Sequence, residues 1–459
     1  MSTRGNFSGR FGFIMAAAGS AVGLGNIWRF PYLAGQNGGA AFLLIYLAFI
    51  LLICFPVMVG EIAIGRKAGL DAYGSYSKLG GAKWGYLGLF GILGCIFILS
   101  FYNVVAGWAF GYFLEITFGS LLSENDFSSF FGNYVTDISD NFWFSLGFMF
   151  MTAIIVTKGI QKGIEMANKI MMPLLYLILI CLIIYGLTLP NALAGVKFYL
   201  IPELSEITPQ TIFDALRQAF FSLSLGMGAL ITYGSYVKKD HNIVSSAAII
   251  SVADTMVAFL AGLMIFPLVF SAGMMPSEGP PLVFIILPKI FHDMHPVVGR
   301  IVGGSFFLML CFAALTSTIS MLEVPTAYLV DQKKLPRKTV VWSLAAGIFI
   351  IGMPSMMSQG IKGFEFLNKL SFYKEKDFLT FISDTADMGL TIGGCLMCVF
   401  ISYRWKINNM NEELSIGNEN YMKSFAQKYI SFAIQYICPL LLGVMSLLII
   451  YDKFFGLNK

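Results

Sequence analysis

Gly19-Ser20-Ala21-Val22-Gly23-Leu24-Gly25-Asn26-Ile27-Trp28-Arg29-Phe30-Pro31 is matched in the second half of the chain by Gln218-Ala219-Phe220-Phe221-Ser222-Leu223-Ser224-Leu225-Gly226-Met227-Gly228. Each stretch lies inside an apolar run long enough to cross a bilayer, and each carries glycines where a spanning helix has least use for them. A pair of glycine-interrupted spans at corresponding places in two halves is the sequence signature of a transport site, because unwound backbone frees carbonyls and amides for ions and substrate. The first segment also holds Asn26 and Arg29. An arginine at membrane depth costs roughly 2.5 to 3.5 kcal/mol on insertion scales and is kept where it faces water or a partner. A small-xxx-small packing surface made by Gly19 and Gly23 is the competing reading.

Hydrophobic residues make up 57% of the 459 and charged residues 12%, a balance that excludes a water-soluble domain of this length. Alternation at period two is absent, so the fold expected is all-α and integral to the membrane. Eleven spans are expected, at about 11 to 36, 40 to 66, 84 to 118, 141 to 157, 164 to 187, 211 to 236, 243 to 273, 297 to 330, 337 to 356, 379 to 404 and 426 to 454. Alternate connections are basic: Arg4 and Arg10, then Arg66 to Lys83, Lys158 to Lys169, Lys238 and Lys239, Lys333 to Lys338, and Arg404 with Lys406. The positive-inside rule makes these cytoplasmic. The connection 119 to 140 holds Glu124, Asp126, Asp137 and Asp140 with no basic residue, and is expected outside. A multi-pass protein of the cell membrane follows, with its N-terminus cytoplasmic and its C-terminus external. Spans 1 to 5 (11–187) and 6 to 10 (211–404) each open on a broken helix. Five is odd, so the second copy must insert upside down, leaving 426–454 outside an inverted repeat.

The serines around the second break offer hydroxyls, and unwound backbone offers carbonyls; together they suit a dehydrated sodium ion. Neighbouring half-helix N-termini suit a carboxylate. Ions and carboxylate side by side fit an amino acid driven by sodium. In the eighth span, Ala313-Ala314-Leu315-Thr316-Ser317-Thr318 adds hydroxyls, which taken singly are usually bonded to the preceding turn. The seven cysteines all lie in apolar segments and are expected to be packing residues, Cys395 and Cys398 having no further ligand nearby for a metal. His241, His292 and His295 fall in expected loops. Glu61 and Glu323, carboxylates within spans, are read as structural or gating groups in preference to a proton relay. No HExxH or nucleophile elbow is present, so no enzyme is expected.

These segments, with Glu61-Ile62-Ala63-Ile64-Gly65-Arg66 and Lys158-Gly159-Ile160-Gln161-Lys162-Gly163-Ile164-Glu165, resemble the neurotransmitter:sodium symporter family, particularly its bacterial amino-acid members, from about residue 4 to 404. The resemblance implies unwound first and sixth helices and one or two sodium ions, two being favoured. The first ion would lie among Ala21, Asn26, Ser222 and Asp254 with the substrate carboxylate, and the second among Gly19, Val22, Ala313, Thr316 and Ser317. It also implies a substrate held by Ala21, Ser222, Leu24, Gly25 and the Tyr102 hydroxyl, its side chain among Ser20, Ile98, Phe221, Ser224, Met227, Ser317 and Met321. An external gate would be formed by Phe221, Tyr102 and Arg29 with Asp387 or Asp384, and an internal gate by Arg4 with Asp331, supported by Tyr236. Tyr46, Gln218, Ser222, Asp254 and Ala258 resemble the chloride site of animal members. Asp254 there replaces an asparagine with a fixed negative charge, so chloride-independent transport is expected. Methionines at 227 and 321, unbranched and adaptable, favour a large hydrophobic or aromatic substrate such as tyrosine. Eleven spans in place of twelve also match some bacterial members. The partners expected are the amino acid, sodium and the bilayer, with no nucleic acid and no obligatory protein. A non-transporting amino-acid receptor on the same fold is the alternative, for which the connections offer only 405–425 as an output segment.

Overall fold

The structure, a computed structural model, describes residues 5–274, 282–359 and 377–455. The described residues are helical throughout their ordered elements. The segments that matter to the site are α1 (Arg10–Ala21), α2 (Gly25–Gln36), α3 (Ala40–Ala68), α4 (Ala82–Thr117), α5 (Ile138–Thr157), α6 (Ile160–Leu187), α7 (Pro209–Ser222), α8 (Ala229–Gly234), α9 (Ile243–Ser271), α10 (Pro296–Lys333), α11 (Arg337–Met357), α12 (Phe378–Ser415) and α13 (Phe425–Tyr451). Nine of these are each long and apolar enough to span a bilayer, and α1 with α2, bent by 51°, makes a tenth. The span expected at 211 to 236 is divided into α7 and α8, each too short to cross on its own.

The two long helices α4 and α10 pack against one another along the middle of the molecule. Burial grades outward from them. On α6, Ile170, Leu177, Ile180 and Ile184 are exposed at helical spacing, as a lipid-facing stripe requires. Cys181 on the same helix is exposed and Cys395 half-buried, so the expectation that all seven cysteines are interior packing residues is corrected for these two. His292 closes a short helix, Leu287–His292, and is not in a loop.

Local chemistry accounts for the helix ends. α3 stops at Gly69, left-handed at φ +66°, with Arg66 and Lys67 in its last turn. The acidic connection 119–140 is itself ordered: Asp126 caps the helix Phe127–Thr136 by accepting from the Ser128 and Ser129 N–H groups at 3.0 Å, and Asp137 caps α5 through Ser139 and Asp140 at 2.8 and 3.1 Å. Two carboxylates that mark the loop as acidic thus satisfy orphan helix donors.

Both breaks fall at the glycine runs. At the first, Val22 is extended (ψ 111°) and α2 starts with a π-helical turn over Gly25–Arg29. At the second, Ser224, Gly226 and Gly228 all have positive φ, at 54°, 82° and 76°. Gly226 has a second reason to be glycine, since a Cβ there would overlap the Leu390 carbonyl.

Candidate functional site

The two breaks face one another. Ser224 is the one residue of the three that is not glycine, and its strained left-handed backbone is matched by a hydrogen bond from its hydroxyl to the Ser20 carbonyl at 2.9 Å. The loop is held from behind by Glu61 on α3, whose carboxylate accepts from the Gly226 N–H at 2.7 Å just ahead of the N-terminus of α8. Cys95 donates to the Met227 carbonyl at 3.5 Å from α4.

A buried polar network joins the breaks to α9. Asn26 donates to the Ser222 hydroxyl at 2.9 Å and to the Asp254 carboxylate and carbonyl at 2.8 and 3.1 Å; Ser222 in turn donates to the other Asp254 oxygen at 2.8 Å. Tyr46 reaches Ser222 at 3.4 Å, and Gln218 donates to the Gly25 carbonyl at 2.7 Å. Asn26, Gln218, Tyr46 and Asp254 are all fully buried. Among the described residues the hydrogen-bond partners of this carboxylate are neutral, and a cation beside it would offset the cost of burying its charge. Ala21 lies on the same cavity wall.

The residues expected around a second ion also converge. Thr316 donates to the Val22 carbonyl at 3.2 Å and the Ala313 carbonyl at 2.9 Å, while Ser317 lies 3.3 Å from the Val22 oxygen and 3.4 Å from that of Ser20. Gly19 packs so closely on Thr316 that a Cβ would stand 3.3 Å from its Cβ. Asn168 on α6, which carries no decisive signal in the sequence, abuts Gly19, and its side-chain oxygen is buried with no hydrogen-bond partner among the described residues. An asparagine within an apolar span was the signal available. Among the described residues no three His, Cys, Asp or Glu side chains gather as a metal cluster, so the oxygen donors here are carbonyls, hydroxyls and one carboxylate. Such a set suits a hard monovalent cation.

Between the networks lies a small cavity whose lining includes Ala21, Gly25, Ile98, Tyr102, Phe221, Ser222, Ser224, Met227, Ser317 and Met321, with Leu390, which had not been anticipated. Tyr102 accepts from the Leu24 N–H at 2.8 Å. Leu24 and Ser20 do not line this cavity: Leu24 faces a larger one of about 480 Å³ beyond Phe221, and Ser20 contributes its carbonyl to Ser224 and Ser317. At Gly23 a Cβ would sit 2.5 Å from the Ser317 hydroxyl and 2.7 Å from that of Tyr102, so any larger residue would displace both.

Above Phe221 the charges form a four-membered cluster. Arg29 makes two contacts with Asp387, at 2.5 and 3.3 Å, and its guanidinium stacks 4.7 Å over the Phe221 ring. Arg217 on α7, absent from the sequence reading, shares the same Asp387 oxygen at 2.8 Å and reaches Asp384 at 3.3 Å. Asp387 therefore serves two arginines directly, while Asp384 forms an ion pair with Arg217. Asp387→Asn, which leaves two guanidiniums facing each other, is expected to slow substrate exchange in proteoliposomes at least tenfold more than Asp384→Asn.

On the opposite side, Tyr236 donates to Glu323 at 2.8 Å, and Glu323 is paired with Arg337, which also bonds the Val156 carbonyl. Asp331 accepts from the Asp71 N–H at 3.2 Å. Arg4, the expected partner of Asp331, lies outside the described residues. A buried pair of Arg66 with Glu413 at 2.7 Å ties α3 to the end of α12. In the sequence, Arg337 is legible only as a topology charge, and Arg66 only as that and as the end of the Glu61–Arg66 motif.

Two broken helices meeting at an oxygen-lined pocket, with charge clusters on either side, are the geometry of an ion-coupled carrier. The sequence profile of the sodium:neurotransmitter symporter family matches residues 4–137 and 127–455. The chain belongs to this family. It is a sodium-dependent symporter and not an enzyme. Among its relatives, the sodium-dependent transporter YhdH of Bacillus subtilis is 37% identical over 96% of each chain, and the sodium-dependent serotonin transporter of Drosophila melanogaster is 31% identical over 80% of this chain and 66% of its own length. The crystal structure of MhsT in complex with L-phenylalanine matches with a TM-score of 0.88 at 42% identity, covering 97% of this chain and 99% of that one. A symporter of this family with these apolar helices is a multi-pass membrane protein.

Proposed function

We propose that this symporter carries a large hydrophobic or aromatic amino acid, tyrosine or phenylalanine for example, into the cell together with two sodium ions and without chloride. The observation that carries the reading is the one-sided polarity of the pocket. Asn26 and Ser222, both bonded to the Asp254 carboxylate behind them, give it a polar wall, and Ile98, Phe221, Met227 and Met321 an apolar lining, so a zwitterion and an apolar side chain each have a place. MhsT, which binds phenylalanine, supports the substrate class.

The first sodium would sit among Ala21, Asn26, Ser222, Asp254 and the substrate carboxylate. There the Asn26 amide turns over, so that its oxygen, now accepting from the Gly23 N–H at 3.0 Å, faces the ion. The second would sit among Gly19, Val22, Ala313, Thr316 and Ser317. Transport would proceed by alternating access, with 11–187 and 211–404 as inverted repeats, the N-terminus cytoplasmic and the C-terminus outside. The external gate would be Phe221, Tyr102 and the Arg29–Asp387 pair, and the internal one would include Asp331 and Tyr236. Each sodium moving down a tenfold gradient and 100 mV releases roughly 1.4 plus 2.3 kcal/mol, so two support about 10⁵-fold accumulation of a neutral zwitterion.

The test is a binding panel of the twenty amino acids on purified protein, in sodium and in potassium. Saturable binding confined to sodium and to the large apolar side chains is expected. Equal binding in potassium, or selection of a charged or small polar amino acid, contradicts the proposal.

A further inference from the structure

The substrate cavity has a free volume of about 20 Å³, room for about one water, whereas a benzene ring occupies a cavity of about 150 Å³. Something in its wall must yield to admit an aromatic side chain. Two larger spaces adjoin it. One, of about 480 Å³, lies beyond Phe221, Tyr102 and Gly25, which line both, so expansion in that direction opens the external gate. The other, of about 290 Å³, lies between α4 and α12. Met227 and Leu390 line both this space and the substrate cavity and form the partition between them.

This side cavity is apolar. Phe90, Leu93 and Phe97 of α4 edge it on the lipid-facing side, each 41 to 45% exposed, and Ile382, Ala386 and Gly389 of α12 form the opposite wall. The partition has a fixed base and a movable end. Gly226 and Gly228 on either side of Met227 have positive φ; its carbonyl accepts from Cys95; and Gly91 packs so tightly on it that a Cβ would stand 2.9 Å from the Met227 carbonyl carbon. The backbone is pinned, while the unbranched side chain retains three rotatable bonds. Methionine's adaptability therefore has somewhere to go.

We propose that the side cavity is the space into which Met227 swings when a large substrate side chain enters, so that Gly94 and Gly389 limit substrate size without lining the substrate cavity. The inference rests on the amino-acid reading above and adds the residues that set its upper size limit. The glycines supply the room. Among the described residues a Cβ at Gly94 would meet nothing within 4 Å, and one at Gly389 only the edge of the Phe90 ring at 3.8 Å, so larger side chains fit at both places and fill the cavity.

The experiment is sodium-dependent binding of leucine and of tryptophan to purified wild type, Gly94→Leu, Gly389→Leu and the milder Gly94→Ala. The expected result is at least a tenfold loss in the tryptophan-to-leucine affinity ratio for either leucine variant, with a smaller loss for Gly94→Ala. A ratio that stays at the wild-type value in the variants overturns the inference. Should one leucine variant lose all binding, the other position and Gly94→Ala decide, since neither wall glycine is crowded. A wild type that binds neither amino acid contradicts the proposed function instead, which keeps the two failures apart.

Discussion

Asp254→Asn is expected to lower sodium-driven uptake by roughly 10²- to 10⁴-fold in chloride-free proteoliposomes, and added chloride is expected to restore part of it. The carboxylate is fully buried and held by Asn26 and Ser222, and among the described residues no cationic side chain pairs with it. The sodium ion proposed beside it would be paired within the protein. Removing the charge would leave that ion buried alone, and breaking a buried pair costs about 3–5 kcal/mol, which is the stated loss in rate if the ion binds before transport. The same neighbourhood contains the Tyr46 and Ser222 hydroxyls and the Gln218 amide, all able to donate to an anion. A diffusible chloride held by those donors replaces the missing charge. Uptake measured in gluconate and in chloride checks this; a variant equally impaired in both, or wild-type uptake that itself needs chloride, contradicts it.

Gly226→Ala is expected to abolish sodium-dependent binding, with a loss of 10²-fold or more, whereas Gly69→Ala leaves it unchanged. Both glycines have positive φ, 82° and 66°, so both substitutions cost about 1–2 kcal/mol of backbone strain. The difference is space. At Gly69 a Cβ meets nothing within 4 Å, while at Gly226 it overlaps the Leu390 carbonyl on α12, with backbone and not a flexible side chain in the way. Relief would push the loop off the Glu61 carboxylate and move Met227 and Ser224 together. Comparing binding and detergent melting temperature for the two variants separates strain from crowding. Similar losses of binding at both positions would mean that the shape of the second break is not what holds the site.

The backbone plan was legible in the chain because glycine acts locally. The runs at 22–25 and 225–228 mark both breaks, and most of the apolar stretches have helical counterparts within a few residues of their expected ends, the exceptions being 211–236, which is two short helices, and 379–404, whose helix runs on to Ser415. Side-chain pairing was less legible because it depends on which residues the packed helices bring together. Asp384 and Asp387 are three residues apart on one helix and equally plausible on paper; only the packing of α12 against α2 and α7 gives Asp387 to Arg29 and adds Arg217, 170 positions away, to the same oxygen. Arg66 and Arg337 were masked by their position beside cytoplasmic-type loops, where arginine needs no explanation until Glu413 and Glu323 are found buried against it. Ser224 resembled any hydroxyl ligand, and nothing local marks it as the left-handed residue whose side chain joins the two breaks. Leu390 and Asn168 were missed for opposite reasons: a leucine in an apolar span carries no signal, and a lone asparagine carries one that a packing role explains equally well until its oxygen is seen to be orphaned beside Gly19.

The most direct test of a sodium-coupled amino-acid carrier is counterflow. Proteoliposomes loaded with unlabelled tyrosine or phenylalanine are diluted into the labelled amino acid with sodium on both sides, then with potassium in its place. Transient accumulation of label in sodium, absent in potassium and absent from protein-free vesicles, is the expected result. Saturable sodium-dependent binding with no flux under the same conditions would contradict it and identify a receptor on a carrier's fold.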